Sequence, residues 1–193
     1  ISSFELRAGL KGYPETYLGF ISQNYGTVRY LRLQDFKVSA DGSVPYIGCV
    51  VGKNSGFIDY CEVVGAEIIA STHEALEQMM IGGYVGTVFN SVEMDSRVNG
   101  CKFSGSFSID ADNVLSLRFG GMVGDGINTN LKYCVIDYTA SIFNADYVTA
   151  NTVAPSYNLT SDAISTLATV DIAIAANHIT LNIQPTDVSH VYY

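Results

Sequence analysis

Residues 46–57 read YIGCVVGKNSGF, an apolar run carrying two glycines, then a polar corner, then an apolar restart. The same order returns at residues 80–89 as MIGGYVGTVF. Extending the comparison aligns LGFISQ (18–23), IGCVVG (47–52), IGGYVG (81–86) and FGGMVG (119–124). Their second-position glycines fall at 19, 48, 82 and 120, so the step lengthens from 29 to 34 to 38 residues. Self-similarity at about 20–50 residues marks solenoids and propellers.

A second register follows about a dozen residues after each glycine. It reads VRYLRL (28–33), IDYCEV (58–63), VNGCKF (98–103) and LKYCVI (131–136). The first, fourth and sixth positions are apolar, while the second is Arg29, Asp59, Asn99 or Lys132. Such alternation predicts a strand with one buried face. A third segment lies around residues 36–38, 66–69, 107–109 and 140–143. The units differ in length mainly after it or in the turn after the first strand, where insertions project as loops.

One unit cannot bury its apolar face alone, but stacked units share a continuous core. The sequence therefore predicts an all-β chain, a parallel β-helix (β-solenoid) of about four rungs, with equivalent strands about 4.8 Å apart. In the opening stretch the apolar run is a rung strand, Gly48 and Gly52 permit tight bends, and residues 53–56 form the corner. Cys61, Cys101 and Cys134 share one slot with Leu31, which predicts a buried column of free thiols. A disulfide between neighbouring rungs is within reach of stacked Cα atoms, although three cysteines in a row leave one over. Zinc is disfavoured, because the thiols lack a CxxC spacing or a nearby His pair.

The apolar run with glycines, the Asn/Ser/Gly corner and the following strand resemble the GLUG-motif repeat. The nearest copies are IGCVVGKNSGFI (47–58) and LGFISQNYGTV (18–28), whereas the copies at Ile81 and Phe119 keep the glycines and lose the NSG corner. The resemblance covers about residues 17–143. It implies a parallel β-helix in an exported, cell-surface setting, often within large adhesin-like or protease-associated bacterial proteins. It carries no catalytic residues to transfer.

Three regions are expected: 1–16 as an N-terminal cap or worn rung, 17–150 as the repeat domain, and 151–193 as a C-terminal cap or hairpin. A stack must cap its ends, or bare strand edges pair with other chains. Ser71-Thr72-His73-Glu74 opens HEALEQMM with a capping box, which predicts a short helical insert of about two turns. Residues 171–175 and 179–183 alternate around Ala176-Asn177-His178, predicting a terminal hairpin or a small cap that ends at Pro185, or else the start of another module.

The chain has 193 residues, 48% hydrophobic and 15% charged, with a formal net charge of −9. That balance excludes a disordered tail and argues against nucleic-acid or anionic-lipid surfaces, which want clustered Lys and Arg. No apolar run is long enough to span a bilayer as a helix, so no membrane insertion is expected. The start at Ile1 reads as a processed chain or a piece of a longer one, with any export signal already removed.

Signals for chemistry are sparse. His73, His178 and His190 lie in an insert and in the tail, and no Gly-x-Ser-x-Gly elbow is present. GGMVGDG (120–126) lacks the lysine of a phosphate loop and reads as repeat glycine. Asp110-Ala111-Asp112-Asn113 offers oxygens to calcium but reads as a solvated corner, since the EF-hand glycine and glutamate are missing. Asp59, Glu62 and Asp137 are the carboxylates a polysaccharide-cleaving site would use. The Arg29, Asp59, Asn99, Lys132 slot instead reads as a solvated mixed ladder. Tyr30, Tyr60 and Tyr133 share another slot, expected to serve core or corner stacking, or, if outward-facing, a sugar- or protein-binding stripe.

The expected function is a non-catalytic, exported bacterial surface module for adhesion or display, its partner a host or surface glycan or a protein. The alternatives are a carbohydrate-active β-helix enzyme or sugar-binding module, and a structural subunit of a surface appendage. No catalytic, cofactor-binding or metal-binding residue is singled out.

Overall fold

Each repeat unit supplies one short strand to each of three sheets and a longer stretch to a fourth. The computed structural model describes residues 1–8, 17–42, 44–72, 75–89, 96–125, 130–144, 168–175 and 178–185. The first sheet holds Tyr17–Leu18, Tyr46–Gly48, Met79–Gly82 and Leu117–Gly120; the second holds Ile21–Asn24, Val51–Asn54, Val85–Val88 and Val123–Asp125. Thr27–Arg29, Phe57–Asp59, Arg97–Asn99 and Asn130–Lys132 make the third. The fourth sheet contains Arg32–Gln34 and Lys37–Asp41, then Glu62–Ser71, Lys102–Asp110 and Val135–Phe143. All pairings between these units are parallel, so the chain is an all-β parallel β-helix.

The inward positions stack like on like. Val28, Ile58, Val98 and Leu131 are register partners, as are Val38, Ile68, Phe107 and Ala140. Ile58, Val98, Val38, Ile68 and Ala140 are buried within one core. Two aromatic-rich coils meet in that core, where Phe103, Phe107, Phe119 and Tyr138 pack edge-to-face or tilted. They contribute to the doubled glycines of the later units. A Cβ on Gly83 would strike the Gly121 carbonyl of the next coil and sit 2.9 Å from the Phe103 ring, and one on Gly121 would strike the Tyr138 ring.

The glycine spacing has a backbone cause. At the corner between the first and second sheets, each glycine of one coil lies against the backbone of its neighbour. A Cβ on Gly48 would stand 2.6 Å from the Gly86 amide nitrogen, and one on Gly86 would stand 2.6 Å from that of Ile47. Gly82 and Gly124 repeat the relation. The first copy departs from the ungapped alignment: Leu18 pairs with Ile47, but Ile21 pairs with Val51. Its corner is one residue shorter, and Ser22 stands opposite Gly52. A side chain is tolerated there because Tyr17–Leu18 and Ile21–Asn24 end their sheets, with no earlier strand beside them among the described residues.

The NSG corner is held by a buried asparagine pair. Asn24 Nδ2 donates to Asn54 Oδ1 at 2.7 Å, and Asn54 Nδ2 donates to the Gly56 carbonyl at 2.9 Å. Both side chains are buried. Removing Asn54 strands partners that water cannot reach. Asn54→Ala is expected to lower stability by about 3 kcal/mol in urea unfolding, whereas an exposed polar residue such as Gln23 tolerates alanine within about 0.5 kcal/mol.

The thiol column is present. Cys61, Cys101 and Cys134 are buried and free, and each donates to the carbonyl of the coil before it, that of Val28, Ile58 or Val98. Leu31 is only partly buried at the open end of the column. Hydrogen bonding along the column, reinforced by burial, pushes the Cys61 and Cys101 thiols well above their ordinary range; burial alone does so for Cys49. Because the thiolate is the reactive form, the native protein is expected to leave all four thiols unlabelled by a thiol reagent at pH 8. Denaturant should release all four, and fast labelling of the native state would contradict the column.

The helical insert is absent among the described residues. Ser71 ends a strand, Leu76 bridges Val114, and Met79–Gly82 is a strand between Tyr46–Gly48 and Leu117–Gly120; His73 and Glu74 lie outside the described residues. A capping box contributes about 1 kcal/mol to a two-turn helix that is marginal by itself. Burying Met79, Met80 and Ile81, with Met80 and Ile81 paired on both sides and Met79 on one, outweighs it.

At the ends, Glu5–Ala8 adds a parallel strand beside Lys37–Asp41. At the other side of the same sheet, His178–Pro185 pairs antiparallel with both Val135–Phe143 and Ala168–Ala175. This antiparallel pair therefore extends the long sheet and reverses its polarity.

Candidate functional site

The corner between the third and fourth sheets breaks a local rule. The residue after each third-sheet strand must turn sharply and adopts a left-handed backbone: Tyr30 at φ 55°, Tyr60 at 53°, Gly100 at 63° and Tyr133 at 52°. Amide bonds between coils hold it there, Tyr60 N–H to the Asn99 carbonyl at 2.8 Å and Gly100 N–H to that of Lys132 at 2.9 Å. Glycine is the unstrained choice and appears once; a bulky aromatic residue is an outlier that costs on the order of 1 kcal/mol or more. Among the described residues the other left-handed non-glycine positions are Ser3, Asp35, Asn113 and Asn144, small polar types that tolerate the conformation better.

The three tyrosines do not recover that strain by burial. Tyr30 is 78% exposed, Tyr60 41% and Tyr133 55%. The rings of Tyr30 and Tyr60 stack at 5.9 Å with 13° between their planes, and Tyr60 leans over Gly100. The structure thus excludes a core role for this slot and sets the tyrosines on the outside. Beside them lies an open cleft of about 190 Å³ lined by Tyr30, Tyr60, Gly100, Arg32, Glu62 and Lys102, with Leu31 and Cys61 beneath. The left-handed turn at the tyrosine resets the alternation, so that the tyrosine and the residue two positions later point outward while the residue between them points into the core.

Flanking the cleft, the Arg29, Asp59, Asn99, Lys132 slot is in register as expected, but Asp59 is not solvated. Its carboxylate is buried and gripped from both neighbouring coils, by Arg97 at 2.8 and 2.9 Å and by Arg29 at 3.1 Å. The Arg97 hydrogen bonds, joined by those of Arg29, hold its pKa below the usual carboxylate value despite burial. Arg97 also lies 4.6 Å over the Phe57 ring. Sequence reasoning missed this cluster because Arg97 belongs to the slot before Val98, occupied in the other units by Thr27, Phe57 and Asn130.

The remaining candidates separate. Glu62 pairs with Arg32 at 3.1 Å, and Asp137 is exposed, in register with Ser104 on the long sheet. Asp110 Oδ1 accepts from the Asp112 amide and from Asn144 Nδ2, which makes residues 110–113 a turn that satisfies itself. Gly120, Gly121 and Gly124 belong to strands and the corner joining them. His178 stacks on Phe143 at 4.2 Å; His73 and His190 lie outside the described residues. Among the described residues no group of three His, Cys, Asp or Glu could hold a metal, and no helix is long and apolar enough to cross a membrane.

Fold and corner together define a parallel β-helix that carries a strained, exposed aromatic ridge. The chain matches no protein-family model, no curated protein and no solved structure. The resemblance to the GLUG repeat therefore rests on its motif residues alone.

Proposed function

We propose that this chain is a non-catalytic binding module of an exported bacterial surface protein, serving adhesion or display. The observation that carries the reading is the placement of Tyr30, Tyr60 and Tyr133 outside the coil in a backbone conformation that disfavours them. Strain held at an exposed site points to a role in contact with a partner, since burial does not explain it. The carboxylates support the absence of catalysis: Asp59 is buried under two arginines with a depressed pKa, the opposite of what a general acid needs. Buried thiols suit a chain that meets an oxidising exterior without forming disulfides.

The test is to immobilise the protein and screen it against glycans and surface proteins while assaying soluble polysaccharides for cleavage. Retention of a partner without product is expected. Turnover of any polysaccharide would favour the carbohydrate-active enzyme instead.

A further inference from the structure

We infer that the cleft beside Tyr30 and Tyr60 binds an acidic sugar, a pyranose ring carrying a carboxylate. The inference rests on the reading above, in which the ligand is held and not transformed. Three observations select this class. The cleft, about 190 Å³, falls below the ~300–1,000 Å³ of sites for drug-sized molecules, so it admits one ring and leaves the rest of a chain outside. Its tyrosine side presents rigid aromatic surface with a polar tip, which suits a ligand with an aliphatic face and a hydroxylated rim.

The third observation is charge. The corner segments 27–32, 57–62, 97–102 and 130–135 hold five of the ten Lys and Arg residues, namely Arg29, Arg32, Arg97, Lys102 and Lys132. They hold only two of the nineteen carboxylates, Asp59 and Glu62, and Asp59 is buried. A chain of net charge −9 thus turns a positive corner outward. Arg32, shared with Glu62, and Lys102 line the same cleft as the rings, where a ligand carboxylate would meet them. A nucleic acid also likes aromatic and basic surface, but it needs a run of clustered Lys and Arg along its phosphates, and among the described residues only Arg32 and Lys102 line this cleft.

The experiment titrates the whole chain with a trigalacturonate and with the neutral trigalactoside, by calorimetry and by chemical shifts of the tyrosine rings. Binding of the acidic trisaccharide at least tenfold tighter than the neutral one is expected, with shifts at Tyr30 and Tyr60. Tyr30→Gly and Tyr60→Gly should each weaken binding at least tenfold while leaving the thermal midpoint unchanged or raised, because glycine relaxes the left-handed backbone. Arg32→Gln should erase the preference for the acid. Binding that survives both glycine variants, or a midpoint that falls sharply in them, would make the tyrosines structural and overturn the assignment. Absence of binding at millimolar trisaccharide, or tighter binding of an oligothymidylate, would also overturn it and leave the surface-module reading standing. Cleavage of the bound trisaccharide would instead sink that reading and keep the site.

Discussion

Gly86→Ala is expected to lower the unfolding free energy by about 4 kcal/mol, a loss large enough to leave much of the chain unfolded. An added methyl group would stand 2.6 Å from Ile47 N, 2.8 Å from the Gly52 carbonyl oxygen and 3.0 Å from the Ile47 carbonyl carbon. All three are backbone, so no side chain can rotate away. Relief requires parting two coils where the Val50 and Val51 amides donate to the Tyr84 carbonyl at 3.0 and 2.9 Å. A paired control separates this cause from the general propensity of glycine. Gly26 and Gly56 occupy the same motif slot in successive coils, yet a Cβ on Gly56 would meet the Gly26 backbone, while nothing among the described residues lies within 4 Å of one on Gly26. Gly56→Ala should therefore be severe and Gly26→Ala neutral within about 0.5 kcal/mol in urea unfolding. Equal losses at both positions would refute the coil-to-coil contact.

The Asp59 cluster is expected to show an asymmetry of similar size. Arg29 and Arg97 reach it from opposite neighbours, with side chains 54% and 40% exposed against 1% for Asp59. Removing the carboxylate leaves two guanidinium groups that water can solvate, so Asp59→Ala should cost about 1–2 kcal/mol. Removing both arginines strands a buried anion, and the double variant Arg29→Ala, Arg97→Ala should lose about 3–5 kcal/mol at pH 7. The pH dependence carries the sign. In the native chain the folded pKa lies below the unfolded value of about 3.9, so the contribution is present above pH 4 and fades as pH falls through the lower, folded value. In the double variant the buried carboxyl has lost its cations and its pKa rises, so acid should narrow the gap to the native chain. Urea midpoints between pH 3 and pH 7 decide it; a gap that stays constant or widens in acid would contradict the buried bridge.

Much of the fold was legible in the residues, for a reason specific to solenoids. Each strand meets its own equivalent, so a slot that is apolar in four units is a column in space, as Val28, Ile58, Val98 and Leu131 are. The thiol column follows from the same rule. The failures came where a local signal competed with stacking. The capping box at Ser71 promised a helix, but Met80 and Ile81 are held by strands on both sides. The first copy aligns without a gap in the sequence, yet its corner is one residue shorter, where no earlier strand lies beside it among the described residues.

The site was less legible than the fold. The shared tyrosine slot could be seen, but alternation does not tell whether a corner side chain lies in or out; that depends on the sign of φ at Tyr30, Tyr60 and Tyr133. Likewise, no spacing rule brings Arg97 to Asp59, because they meet across coils 38 residues apart. By itself the sequence determined the period, the inward columns and the acidic total, since these are sums over residues and their neighbours in the repeat. The stacking of coils alone decided that Asp59 is buried, that the glycines separate backbones and that the tyrosines face solvent, because each depends on what the adjacent turn of chain places within a few ångströms.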